Sequence, residues 1–187
     1  MLDCLPIDNV RAKWELVQGY SGKTMTGGLT GGYTYKIVLK GGGGGYDRGG
    51  NLSDGKDGAE KVYYVPVVSN TAYTYGIGEA GCSGVGGGHD CAGGGSTYIT
   101  IGGTKYAADG GRCGDERKYA GGTNGGAGAK PSDGCGGGVA NTYTMDTGKR
   151  GYRAITGYVN GASGRTEVYT YYDATNGNIA IYRLQIL

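Results

Sequence analysis

The chain has no phenylalanine, one histidine, one tryptophan and three prolines among its 187 residues. Each scarcity removes a class of explanation. With His89 as the sole histidine, any Ser-His-Asp or Cys-His arrangement must pass through it. No G-x-S-x-G elbow accompanies it, since "GCSGV" and "GASGR" both fail at the last position. An acid-base enzyme is therefore not expected, and His89 reads as a surface-loop residue. Three prolines against 45 glycines exclude the G-X-Y pattern of collagen. No run of 18 apolar residues exists, so no membrane-crossing helix is expected, and "MLDCLPIDNVRAKWELV" lacks the basic start and continuous apolar stretch of a secretory signal. The formal charge is only +2 and its basic residues are scattered, which argues against a nucleic-acid partner.

What is abundant is glycine, together with 18 tyrosines. Glycine-rich sequence is often disordered, yet clean alternation of apolar and polar residues runs through "YTYKIVLK" (33 to 40), "KVYYVPV" (61 to 67), "STYITI" (96 to 101), "EVYTYY" (167 to 172) and "IAIYRLQIL" (179 to 187). These read as strands. Between them lie glycine-dense segments at 41 to 58, 76 to 95, 102 to 114, 121 to 138 and, more weakly, 148 to 164. A helix with that glycine content would lose about 1 kcal/mol per glycine relative to alanine, so the class is all-β. One domain is expected from residue 31 to 187, preceded by an arm or attachment segment over 1 to 30 that holds Trp14 in "NVRAKWELVQGY", a short helix or a first strand.

The glycines have a period. Gly78, Gly81, Gly84 and Gly87 fall every third residue, as do Gly122, Gly125 and Gly128, then Gly134 and Gly137. Three residues per turn is the repeat of the left-handed extended helix, one face of which would carry only glycine. Such helices satisfy their peptide groups by packing glycine face to glycine face and exchanging backbone hydrogen bonds.

Two nucleotide motifs dissolve on inspection. "GIGEAG" fits G-x-G-x-x-G, but its third glycine opens onto "CSGVGGGHDCAGGGS", which cannot be the helix that holds a pyrophosphate. "GYSGKT" ends like a phosphate-binding loop, but Val17 stands where that loop needs its first glycine. No cofactor is expected. Cys82, His89, Asp90 and Cys91 match no usual zinc spacing, and Asp47, Asp54, Asp57 and Glu60 follow no calcium-loop pattern, so no metal is expected either.

Five cysteines, Cys4, Cys82, Cys91, Cys113 and Cys135, form an odd set. Cys82 with Cys91 and Cys113 with Cys135 are candidate disulfides in an oxidising compartment, and free thiols are the alternative. The polar stretches between glycine segments, "YDRGGNLSDGKD", "GGHDC", "GRCGDERKYAGG" and "TGKRGYR", are where side chains would project from a rigid scaffold, a composition suited to recognising sugars or protein loops.

"GGYTYKIVLKGGGGG", "KVYYVPVVSNTAYTYGIGEAG" and "GGGSTYITIGGTKYAADGG" resemble, in order, the opening strand and polyglycine run, the next strand pair, and the later strand and hairpin of glycine-rich domains in bacteriophage tail fibres and distal tail adhesins. The likeness covers residues 31 to 114, with "IAIYRLQIL" completing the sheet. The glycine-rich domain of anaplastic-lymphoma-kinase-type receptors is similar in the same features. The resemblance implies a jelly-roll-like β-sandwich with inserted, packed polyglycine-II helices and recognition loops between the glycine motifs. It makes Tyr46, Asp47, Arg48, His89, Asp90, Arg112, Asp115, Glu116, Arg117, Lys118 and Tyr119 the candidate receptor contacts. It further implies a virion appendage protein that binds a host surface glycan or outer-membrane protein and attaches to other tail proteins through its N-terminal arm, with monomer and homo-oligomer both open. A secreted, disulfide-linked matrix or filament protein is the alternative.

Overall fold

The computed structural model describes residues 12–20, 26–46, 54–82, 91–114, 120–129, 150–161 and 164–186, with 150–173 described by backbone alone. All regular structure among them is strand. The strands are β1 (Ala12–Tyr20), β2 (Thr26–Leu29), β3 (Tyr33–Lys40), β4 (Glu60–Val67), β5 (Thr71–Gly76), β6 (Thr97–Ile101), β7 (Thr104–Ala108), β8 (Arg150–Gly161), β9 (Gly164–Asp173) and β10 (Asn178–Ile186).

Alternation decides which face each strand buries. In β3, Tyr35, Ile37 and Leu39 turn inward while Lys36, Val38 and Lys40 turn outward. β10 lies antiparallel beside it, placing Ile181 opposite Ile37 and Ile179 opposite Leu39. The resulting sheet has the order β1-β10-β3-β4, and a second has the order β2-β5-β6-β7. Their inner faces share one core, built from Tyr35, Ile37, Leu39, Val65, Ile179 and Ile181 on one side and Tyr73, Tyr75, Ile99 and Ile101 on the other. Each fully buried aliphatic side chain contributes about 1.5–3 kcal/mol. The architecture is a β-sandwich of two antiparallel sheets. Pro66 is tolerated within β4 because β4 is an edge strand.

Tyrosine replaces phenylalanine for a reason visible at the sandwich margins. Hydroxyls there need partners, and they find them across the gap between sheets. Tyr20 of β1 and Tyr73 of β5 share a hydrogen bond of 2.5 Å, with Tyr20 stacked on Tyr75 at 4.2 Å between centroids. On the opposite margin Tyr63 of β4 donates to the Ala107 carbonyl of β7 at 2.7 Å, and its ring packs on Tyr106. At one end Tyr35 donates to the Thr30 carbonyl and accepts from the Thr30 N–H. Burial first, and the bond to Tyr20 second, push the Tyr73 hydroxyl pKa up.

The segment expected to be an arm up to residue 30 supplies two strands of the sandwich instead. β1 pairs with β10 through a bulge between Leu16 and Gln18, and β2 pairs with β5. "TGGL" gave no strand pattern because Gly27 has a packing role: a Cβ there would strike the hydroxyl end of the Tyr73 ring. "NVRAKWELVQGY" is strand from Ala12, which settles the helix-or-strand alternative. The weak glycine-dense segment expected over 148 to 164 lies largely in a long antiparallel hairpin, β8–β9, which pairs with no other described strand.

The two ends of the sandwich differ. One end carries short connections, including the β6–β7 turn, where Gly102 and Gly103 both adopt positive φ, at 55° and 83°, as a two-residue hairpin turn requires. At the other end, β3, β5 and β7 run out into the glycine segments.

Candidate functional site

Beyond the second end lie eight extended stretches, 41–46, 54–59, 77–82, 91–96, 109–114, 120–123, 126–129 and 174–177, which belong to neither sheet. They are bound to one another through their backbones, and the bonds recur every third residue. Gly41 and Gly44 donate to Ala59 and Lys56; Gly42 and Gly45 donate to Gly95 and Ala92; Gly111 and Gly114 donate to Gly42 and Gly45. Lys56 and Ala59 donate in turn to Arg112 and Asp109, and Ala92 and Gly95 to Cys82 and Glu79. Donor–acceptor distances in these pairs run from 2.8 to 3.0 Å. One stretch thus bonds several neighbours in different directions, which a sheet strand, with two neighbours in one plane, does not do.

This packing explains why the residues are glycine. A Cβ on Gly42 would collide with the Glu79 carbonyl, one on Gly94 with the Gly42 carbonyl, and one on Gly111 with the Lys56 carbonyl, all far inside 3.0 Å. The backbones approach too closely for any side chain. Where the stretches meet the sandwich, buried hydroxyls finish the pairing: Thr97 Oγ1 accepts from the Gly78 N–H, while Ser96 Oγ donates to the Ala108 carbonyl and accepts from the Gly125 N–H.

Following each stretch outward from the sheets leads to one place. Gly45 donates to Ala92, Gly114 donates to Gly45, and Ala92 donates to Cys82, so the far ends of 41–46, 77–82, 91–96 and 109–114 are neighbours. Ala120 joins them by accepting from Ala129, which itself accepts from Gly93. A disulfide between Cys91 and Cys113 ties two of these ends together. This pairing differs from both expected ones, Cys82 with Cys91 and Cys113 with Cys135. It follows from three-dimensional register, since Gly94 bonds Gly111 and the antiparallel run brings position 91 to position 113. Cys82 is also disulfide-bonded. Cys4 and Cys135 lie outside the described residues.

The candidate contacts sort accordingly. Tyr46 is fully buried, which corrects its assignment as a receptor contact. It ends the first glycine stretch, 41–46, with no surface left to present to a partner. Arg112 is exposed at the far end. Asp47, Arg48, His89, Asp90, Asp115, Glu116, Arg117, Lys118 and Tyr119 lie outside the described residues, but their described flanks Tyr46, Cys82, Cys91, Gly114 and Ala120 belong to the convergent ends, and Asp54 opens the stretch whose Lys56 bonds Gly44 and Arg112. Missed by sequence reasoning were Ser96 and Thr97, buried hydroxyls whose only signal was their place between a glycine run and a strand.

Among the described residues no group of three or more His, Cys, Asp or Glu side chains is arranged to hold a metal. No described helix is long and apolar enough to cross a membrane. No protein family model matches the chain, and no curated protein matches it.

Proposed function

We propose that the chain is a non-enzymatic recognition module of a virion appendage, a phage tail fibre or tail tip. In this reading a jelly-roll-like sandwich carries a bundle of polyglycine-II helices, and segments 47–53, 83–90 and 115–119 at the far end contact a host surface glycan or outer-membrane protein. The observation that carries it is the convergence of the flanks of all three segments at one end of a hydrogen-bonded glycine bundle. A hydrogen-bonded base that brings the described flanks of these segments together reduces the ordering cost of binding. The period-three bonds and the clash of any Cβ with neighbouring carbonyls support the polyglycine-II description.

The test is binding of the purified chain to a panel of bacterial cells, outer-membrane vesicles and immobilised envelope glycans, beside a variant with 115–119 replaced by Gly/Ser. Saturable binding to a subset, lost in the variant, supports the reading. Binding to none, or binding indifferent to the replacement, contradicts it. The oxidised Cys82, Cys91 and Cys113 favour one second reading, an extracellular disulfide-linked matrix or filament protein. Disulfide-linked multimers on non-reducing gels, without cell binding, would select it.

A further inference from the structure

The β1-β10-β3-β4 sheet has two faces, and the core uses only one. Register places Leu16 opposite Tyr182, Trp14 opposite Leu184, Lys36 between Tyr182 and Tyr64, and Val38 opposite Val62. Paired residues of an antiparallel sheet point the same way, so these side chains share the outer face. That face is apolar and open: Leu16 is 56% exposed, Tyr64 61% and Ile186 74%. The Trp14 ring reaches across toward Tyr64, with centroids 5.6 Å apart. Lys36, the charge in its middle, lies over the Tyr182 ring at 5.6 Å.

Toward the sandwich's short-turn end, β10 leaves β3. Their pairing stops at Arg183 opposite Tyr35, while β1 follows β10 to Ile186. A two-stranded ribbon results, its inner side partly covered where the Arg183 guanidinium lies over the Tyr33 ring at 4.8 Å. Its inner side is polar, with Arg183 3.4 Å from Glu15 and Gln185 donating to the same carboxylate. Its outer side continues the apolar face through Trp14, Leu184 and Ile186. A ribbon with one side polar and the other greasy and uncovered is a marginal structure by itself.

From this face we infer that two copies of the chain pair outer sheet to outer sheet across a two-fold axis. The dimensions suit that occupant. Four strands at about 4.8 Å and a length of about 25 Å give a face of about 500 Å² in projection, before side-chain relief is added. A stable interface buries about 800 Å² of accessible surface per partner. Lys36 is the one charge within the apolar patch, its ammonium held over the Tyr182 ring, and sheets pack face to face about 10 Å apart. The edge charges Lys40 and Glu60 sit opposite one another at the glycine end, away from the apolar patch.

Trp14 is the sole tryptophan and reports on the face directly. The experiment is sedimentation velocity with tryptophan emission on the whole chain, from about 1 to about 100 µM. Beside it run the double variant Leu16→Lys, Ile186→Lys and the control Val68→Lys, which alters an exposed residue beyond β4, off the face. A dimer is expected for the wild type and the control, with Trp14 emission moving to longer wavelength as dilution separates the copies. The double variant should be a monomer with unchanged far-ultraviolet circular dichroism. If the folded double variant stays dimeric, or the wild type is a monomer at every concentration or a trimer, the inference is overturned.

Discussion

Replacing Gly94 by alanine should unfold much of the glycine bundle, while the same replacement at Gly43 should be harmless. Gly94 donates to the Gly111 carbonyl at 2.8 Å, and its own carbonyl accepts from Gly122 at 2.8 Å. A Cβ on Gly94 would strike the backbone of Gly42 and Gly43, so 41–46 and 91–96 must separate. Separation breaks Gly42 to Gly95 and Gly45 to Ala92, and strains the Gly94 bonds. Two or three buried backbone groups left unpaired cost about 1–3 kcal/mol each, so the expected loss is about 3–6 kcal/mol. That is about half of a domain's typical 5–15 kcal/mol. At Gly43 a Cβ would instead meet the Ala174 methyl at 3.6 Å, an ordinary contact. Alanine there restricts the unfolded chain and should leave stability unchanged or raise it by about 0.4–1 kcal/mol. Urea denaturation of both variants against the wild type measures the difference. Losses that agree within about 1 kcal/mol would refute the close-packing argument.

Ser96→Ala removes one donor and one acceptor at the junction of bundle and sandwich, orphaning the Ala108 carbonyl and the Gly125 N–H, and should lower stability by about 2 kcal/mol in the same assay. Breaking the Cys91–Cys113 bond, which closes a separation of 22 residues, should cost about 3 kcal/mol, read as a shift of the urea midpoint in the double variant Cys91→Ser, Cys113→Ser. Tyr73 gives the pH dependence. Its hydroxyl is held protonated in the fold by burial and by Tyr20, while the unfolded chain ionises from about pH 10. Stability is therefore full below that pH and falls as pH rises above it, and Tyr73→Phe should flatten the alkaline limb of an unfolding titration.

Much of the sandwich was legible because alternation is a local property. Ile37, Leu39, Ile99 and Ile181 announce their inward positions two residues at a time, and the strands they define stand where the pattern put them. The glycine period was legible only in part: Gly78 and Gly81 stand in an extended stretch where a Cβ would strike neighbouring carbonyls, but Gly125 has a φ of 84° in a turn that breaks the expected run of Gly122, Gly125 and Gly128, and Gly84, Gly87, Gly134 and Gly137 lie outside the described residues. What escaped depends on partners distant in sequence. Gly27 and Gly28 look like loop residues until the Tyr73 ring is seen lying against Gly27. The disulfide depends on which glycine stretches become neighbours, which no spacing between cysteines encodes. Tyr46 looked like a recognition residue because tyrosine serves both display and burial, and only the bundle shows which role it takes.

Hydrogen exchange on the intact chain tests the central claim most directly, since packed extended stretches and flexible glycine linkers differ in amide protection above all. If the glycine stretches form one hydrogen-bonded base for the far end, the amides of Gly42, Gly94, Gly95 and Gly111 should exchange as slowly as those of Ile37 and Ile181 in the sheet. Exchange at solvent rates across these glycines, with the sheet still protected, would contradict it.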